Sequence, residues 1–336
     1  MTQKLKNIDL INYCDAFPYP TTEPEEYATQ LQALWKVVCD DAEGPVEIGY
    51  MLQHVYDKFV QLPSSLRGET RVDETAKTVH ILGGLKTEAE RTKKVAEITA
   101  HWRATKSFDA LRGWRDEIWP VYGRKGELLF SVERSALGLF GCMRYGVHMT
   151  AYVSSPESPY GIKIWVPKRS ATKPTYPSML DNTVAGGLMT AEDPFECVIR
   201  EADEEASLPD ALVRNHTQKI GIMSYIYITD TRSGGEQGLI YPEVQWIYDL
   251  KLPEDVILVP KDGEAERFDL CTVDQVKQFL ADGLFKPNCA VVTIDFFIRH
   301  GILTRENEPA FDEIVDRLHR IMPFPGPHRE LGQPGQ

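Results

Sequence analysis

The chain has 336 residues, 42% of them hydrophobic and 10% aromatic, and a formal charge of −13. At roughly 100–200 residues per domain this predicts two domains, or one with a large extension, and enough apolar material for a substantial core. The acidic balance argues against nucleic acid or an anionic membrane as partner, because cationic side chains supply affinity for both. Six cysteines at long, irregular intervals contain no CxxC pair, which predicts reduced thiols in a cytoplasmic protein rather than a zinc site or a disulfide framework. The N-terminal MTQKLKNIDLINYCDAFPYP lacks the basic-then-apolar pattern of a signal peptide. No run approaches the roughly 20 apolar residues of a membrane span.

In chain order, 23–40 is predicted as a helix from the spacing of Leu31, Leu34, Val37 and Val38, and 46–61 as a second from Ile48, Met51, Leu52, Val55 and Phe59. TVHIL (78–82) is a short strand and 86–104 a charged third helix. Gly-Arg-Lys-Gly at 123–126 marks a hairpin-like turn. These elements predict an α+β N-terminal domain over 1–140. Texture then changes. GVHMTAYVSS and GIKIWVPKRS alternate as a hairpin, and DNTVAGG is a short strand entering a glycine turn. Residues 194–206 are helical, 219–229 and 244–252 are strands, and helices follow in 272–283, 293–302 and 308–322. That order predicts an α/β second domain over 141–325 with a mixed sheet and helices packed on it. The Pro/Gly-rich segment from 326 is expected to be a flexible tail.

The stretch AGGLMTAEDPFECVIREADEEASL (185–208) carries the chemistry. Asp193 suits an N-cap and Pro194 a first helical turn. On the helix that follows, Glu201, Glu204 and Glu205 share a face at i, i+3 and i+4. Three carboxylates there repel unless a cation neutralises them, and hard divalent ions such as Mg²⁺ take such oxygens. The bland reading is a solvated acidic face. Arg200 is placed to orient a carboxylate. Phe195, Val198, Ile199, Ala202 and Leu208 form the opposite, packing side.

The stretch resembles the Nudix box, with Gly186, then Glu192 five residues on, then after seven more Arg200-Glu201, Ala202, Asp203, Glu204-Glu205, Ala206 and Leu208. Ser207 stands where the pattern has glycine, and Ala202 is small for an aliphatic position. Counted from Gly187 instead, Asp193 takes the first acidic place. WVPKRSATKPTYPSMLDNTVAGG, FECVIREADEEASLP and SVERSALGLFG resemble the Nudix subfamily related to thiamin pyrophosphokinase, which carries a long N-terminal extension. No kinase-like segment follows residue 325, so hydrolysis alone is expected. The resemblance implies a Nudix α/β/α sandwich and a Mg²⁺- or Mn²⁺-dependent hydrolase of a small-molecule diphosphate. Its implied metal ligands are Glu201, Glu205 and Glu204, with Arg200 in support. The implied substrate is thiamin diphosphate or an oxidised analogue. NADH, ADP-ribose, isopentenyl-type isomerisation and ligand binding without turnover are the alternatives.

Outside the box, Glu264 in KDGEAERFDL is the candidate extra ligand or base, or else an exposed turn acid. Lys168, Arg169 and Lys173 are candidate phosphate contacts beside Gly186 and Gly187, or a solvated hairpin end. Trp165, Tyr225, Tyr227 and Trp246 read first as core and second as platforms for a heteroaromatic ring or thiazolium. Trp102, Trp114 and Trp119 either cap the cleft or pack their own domain.

Overall fold

The computed structural model describes residues 4–329. Helices α1 (Asn7–Cys14) and α2 (Pro24–Ala33) lead into β1 (Leu34–Asp41) and β2 (Gly44–Leu52). Then come α3 (Gln53–Val60), α4 (Ser64–Arg67), β3 (Glu69–Asp73), β4 (Thr78–Gly83), α5 (Glu88–Ala104), β5 (Ile118–Tyr122), β6 (Leu128–Glu133) and α6 (Arg134–Phe140). Among the described residues the first sheet runs β2-β1-β4-β3, and β5 and β6 form a separate hairpin around the predicted glycine turn.

Both early helix expectations are corrected in part. Residues 34–41 and 44–52 are strands, joined by a turn in which Gly44 has φ 112°, a value favoured by glycine. The apolar residues there also satisfy a period of two: Trp35, Val37 and Cys39 alternate into one core, as do Val46 and Ile48. Parallel pairing of β1 with β4, Lys36 opposite Thr78, completes the sheet.

The second domain contains β7 (Arg144–Ser154), β8 (Ile162–Arg169), β9 (Val184–Gly187), α7 (Pro194–Ala206), α8 (Asp210–His216), β10 (Thr217–Ile228) and β11 (Ile240–Leu252). It closes with β12 (Ala265–Thr272), α9 (Val273–Ala281), α10 (Pro287–Arg299) and α11 (Phe311–Leu318). The sheet order is β10-β11-β7-β8-β12. It is mixed, because β7 pairs parallel with β11 and antiparallel with β8 and β9. The two antiparallel partners divide β7: β8 takes 152–154, and β9 takes 146–149, which sets Gly186 opposite Val147 and Gly187 opposite Gly146.

Alternation along the strands makes two cores. Tyr145, Val147, Met149 and Ala151 face α7 with Val244, Trp246 and Tyr248. Met223, Tyr225 and Ile247 face the other way, onto α9, α10 and α11. Each large side chain so buried contributes roughly 1.5–3 kcal/mol.

The first helix packs on the second domain. Leu10, Ile11 and Cys14 of α1 lie in the core shared with α10, and Phe17 in the core under α7. Asp15 and Arg320, both almost fully buried, form an ion pair at 2.6 Å. Met322 and Phe324 are core residues of the second domain, and within the expected tail His328 is buried with Nδ1 3.2 Å from the Tyr145 hydroxyl. Residues 330–336 of that tail lie outside the described residues. All six cysteines are free and buried. Among the described residues no helix is long and apolar enough to cross a membrane.

Candidate active site

Helix α7 starts and ends on local chemistry. Asp193 caps it, its Oδ1 accepting from Phe195 N at 2.8 Å and Glu196 N at 3.2 Å. Val198, Ile199 and Ala202 are buried against the sheet, as expected of the packing side. Arg200 then gathers the acids. Its Nε and Nη2 donate to Glu192 at 2.8 and 3.3 Å. Its Nη1 lies 3.0 Å from Glu201 and 2.9 Å from Glu204. Glu192, not Asp193, is therefore the acid that Arg200 meets, and the two-way ambiguity in counting the glycine loop is resolved. Glu192 also closes that loop by accepting from Met189 N at 3.2 Å.

Glu201 and Glu205 point back at β9. A Cβ at Gly186 would come within 2.3 Å of Glu201 Oε1, so only glycine lets this carboxylate approach. Glu205 accepts from Ala185 N at 3.1 Å. Burial pushes Glu201 up to about 7, against the pull of Arg200 and with the repulsion of Glu204 added. Burial, then the charge of Glu201, holds Glu205 well above the usual carboxylate range. Two carboxylates one turn apart, each destabilised when ionised, form a hard-oxygen donor pair that a divalent cation would neutralise.

The third expected ligand pairs with Arg200. Glu204 is about half exposed and turned to Arg200. Among the described residues no three His, Cys, Asp or Glu side chains are gathered closely enough to hold a metal. Glu264 lines one small pocket with Glu205, Arg169 and Asp181. Burial opposes its ionisation, but the ion pair with Lys173 outweighs this and holds it below the ordinary value. It is not a free turn acid.

The expected phosphate-binding cluster is instead engaged by neighbours. Lys168 pairs with Glu266 across β8 and β12 at 2.9 Å. Lys173 pairs with Glu264. Arg169 is held by Asp181 at 2.5 Å and by the carbonyls of Thr175 and Tyr176, both at 3.1 Å.

The cations that do face open space come from elsewhere. A cavity of about 600 Å³ lies between the two domains. Arg115 and Arg134 reach it from the N-terminal domain, Arg144 and Lys286 from the second. Trp114, Tyr225, Tyr227 and Tyr241 supply aromatic wall. A smaller pocket of about 130 Å³ is lined by Gly186 and Gly187 and shares Arg134, Arg144, Glu243, Lys286 and Asn288 with the large one. The glycine strand thus borders the cavity. Trp165 and Trp246 are core residues and Trp102 packs its own domain, whereas Trp119 abuts Gly187. No spacing in the sequence marks Arg134, Arg144 or Lys286, since each is a single residue from a different segment.

A model described as NUDIX domain matches residues 145–288, and a domain of unknown function, DUF4743, matches 42–144. The second domain belongs to the Nudix family. It is 37% identical to the uncharacterized protein YJR142W of Saccharomyces cerevisiae over 83% of this chain and 82% of that one. Nudix hydrolase 20, chloroplastic, of Arabidopsis thaliana is 35% identical over 66% of this chain, and the chain spans 56% of that longer protein. The crystal structure of DR0079 from Deinococcus radiodurans matches 53% of this chain and 98% of its own at 18% identity, with a TM-score of 0.39.

The departures from the Nudix box now have a location. Ser207 is the C-cap of α7 at φ 55°, ψ 31°, a left-handed conformation that glycine adopts at least cost. Its hydroxyl donates to Val259 O at 2.9 Å. Ala202 is fully buried where the Nudix helix meets the sheet.

Proposed function

We propose that this chain hydrolyses the anhydride of an organic diphosphate with Mg²⁺ or Mn²⁺ held by Glu201 and Glu205. Glu204 would join by turning from Arg200, or Glu264 from Lys173. The carrying observation is that pair of buried, mutually repelling carboxylates beside Gly186, a glycine that lines a small pocket sharing Arg134, Arg144 and Lys286 with the large aromatic-walled cavity. A bound divalent ion supplies Lewis acidity and a more acidic water. Water adds to the terminal phosphorus, the bridging P–O bond breaks, and the organic monophosphate and orthophosphate leave. Arg200 holds Glu201 in place, and Glu264, kept ionised by Lys173, is the candidate to take the water's proton.

The substrate in this proposal is thiamin diphosphate or an oxidised analogue, and the role is removal of damaged cofactor in a reducing compartment such as the cytoplasm. A cavity of this volume suits a ligand of that size. Its tyrosines offer faces to a heteroaromatic ring, and Glu243, which accepts from the Tyr225 hydroxyl at 2.8 Å, offers a charge to a thiazolium.

The test is a turnover screen, read as loss of substrate and appearance of the monophosphate products, with thiamin diphosphate, its oxidised analogues, NADH, ADP-ribose, nucleotide sugars, coenzyme A and nucleoside triphosphates, each with Mg²⁺ and Mn²⁺ and with Glu205→Gln as blank. Turnover of thiamin-type diphosphates alone supports the full proposal. Preference for another diphosphate overturns the thiamin assignment. Absence of turnover overturns the hydrolytic one.

A further inference from the structure

The geometry points to a direct part for the N-terminal domain in catalysis: Arg134 joins Arg144 and Lys286 as a clamp for the substrate's diphosphate. This rests on the reading that the site takes an organic diphosphate.

Three observations carry it. First, the guanidinium groups of Arg134 and Arg144 each lie 5.0 Å from the ring centre of Trp119. The same indole lies where a side chain at 187 would stand, with Cζ2 2.2 Å from a Cβ built there. One buried ring therefore fixes both arginines against the glycine strand of the Nudix box. Second, Lys286 lines both the large cavity and the pocket at Gly186 and Gly187, and among the described residues it forms no ion pair. The acid whose charge it faces, the buried Asp181, already has Arg169 as its hydrogen-bonded partner, so the Lys286 ammonium keeps its donors for an anion in the pocket. Third, the arginines keep donors to spare. Arg134 spends Nη1 on Glu117 at 2.9 Å, and Arg144 reaches Glu243 only at 3.4 Å. Planar guanidinium forks suit phosphoryl oxygens.

In a chain of charge −13, three cations converging on one pocket reverse the local field. Arg134 opens α6, the last helix before β7. The Nudix domain by itself therefore holds an incomplete clamp, and the extension acts as a wall of the site.

The experiment is calorimetric binding of inorganic pyrophosphate to the full chain in EDTA, which prevents metal-dependent turnover. In Lys286→Ala the acid it faces, Asp181, keeps its ion pair with Arg169. Arg134→Ala is paired with Glu117→Gln so that no acid is left alone, and Arg134→Lys is the conservative variant. Each charge removal is expected to weaken pyrophosphate about ten-fold and to flatten its salt dependence, with the melting temperature held and part of the affinity restored in Arg134→Lys. Equal affinity across these variants, or no binding by the unaltered chain, overturns the clamp. Diphosphate turnover with an unchanged KM in the Arg134 variants also overturns it while leaving hydrolysis standing. Pyrophosphate bound through Arg134 and Lys286 with no turnover of any diphosphate supports the clamp and overturns hydrolysis.

Discussion

Trp119 fills the space that a side chain at Gly187 would occupy. The indole comes from β5 of the N-terminal domain and the glycine from β9 of the Nudix domain, and the contact registers one against the other. The backbone at 187 is not in the left-handed region, so the requirement for glycine is steric. Gly187→Ala is expected to cost about 1–3 kcal/mol by overpacking. Adding Trp119→Leu should return much of that stability in urea denaturation, because the clash is gone, yet leave turnover low because the arginines lose their support. Additive losses in the double-mutant cycle would refute the contact.

Ser207 bears the opposite lesson. Its left-handed backbone costs a non-glycine residue roughly 1–2 kcal/mol, offset by one partly exposed hydrogen bond to Val259. Ser207→Gly should therefore stabilise by up to about 1 kcal/mol, read as a higher melting temperature with the same kcat. A lower melting temperature would mean that the hydroxyl bond outweighs the strain.

How much was legible follows from the range of the interactions. Helix α7 was read to its last residue because cap, proline and apolar stripe all lie within it. Glu192 and Arg200 were legible as box positions, but that they pair, and that Arg200 meets Glu192 rather than Asp193, needed the structure. Strands β1 and β2 were misread because Val37 and Ile48 fit both periods, and what decides is the distant partner β4. Lys168, Arg169 and Lys173 looked like a phosphate site because they are adjacent in sequence; their acids, Glu266, Asp181 and Glu264, arrive from elsewhere. Arg134, Arg144 and Lys286 gave no local signal at all.

The same logic places residues 7–17 with the Nudix domain. Arg320 is 5% exposed and Asp15 2% at the side chain. Removing one partner of such a pair leaves a buried charge and costs about 3–5 kcal/mol. Asp15→Ala should thus lower the stability of the second domain, with hydrogen exchange rising in β10 and α11 before β1 and β4. Loss of protection first in the β1–β4 sheet would assign α1 to the N-terminal domain after all.

Metal and pH should act on the protein together. An unfolded glutamate ionises near 4.5, but Glu201 in the fold does so at about 7. Between those values the folded chain holds a proton that the unfolded chain has lost. Stability of the metal-free protein is therefore greatest below about 4.5 as far as this group is concerned, and falls as pH rises from there through 7, by an amount on the order of 3 kcal/mol. Glu205, raised for the same reason, extends the decline upward. A divalent cation binds the ionised forms, so its effect must grow over the same range. The melting temperature is expected to rise more with Mg²⁺ at pH 8 than at pH 5.5. Glu205→Gln should raise the metal-free melting temperature at pH 8 and abolish most of the response to Mg²⁺. A Mg²⁺ response of equal size at both pH values would show that the ion binds elsewhere than at this carboxylate pair.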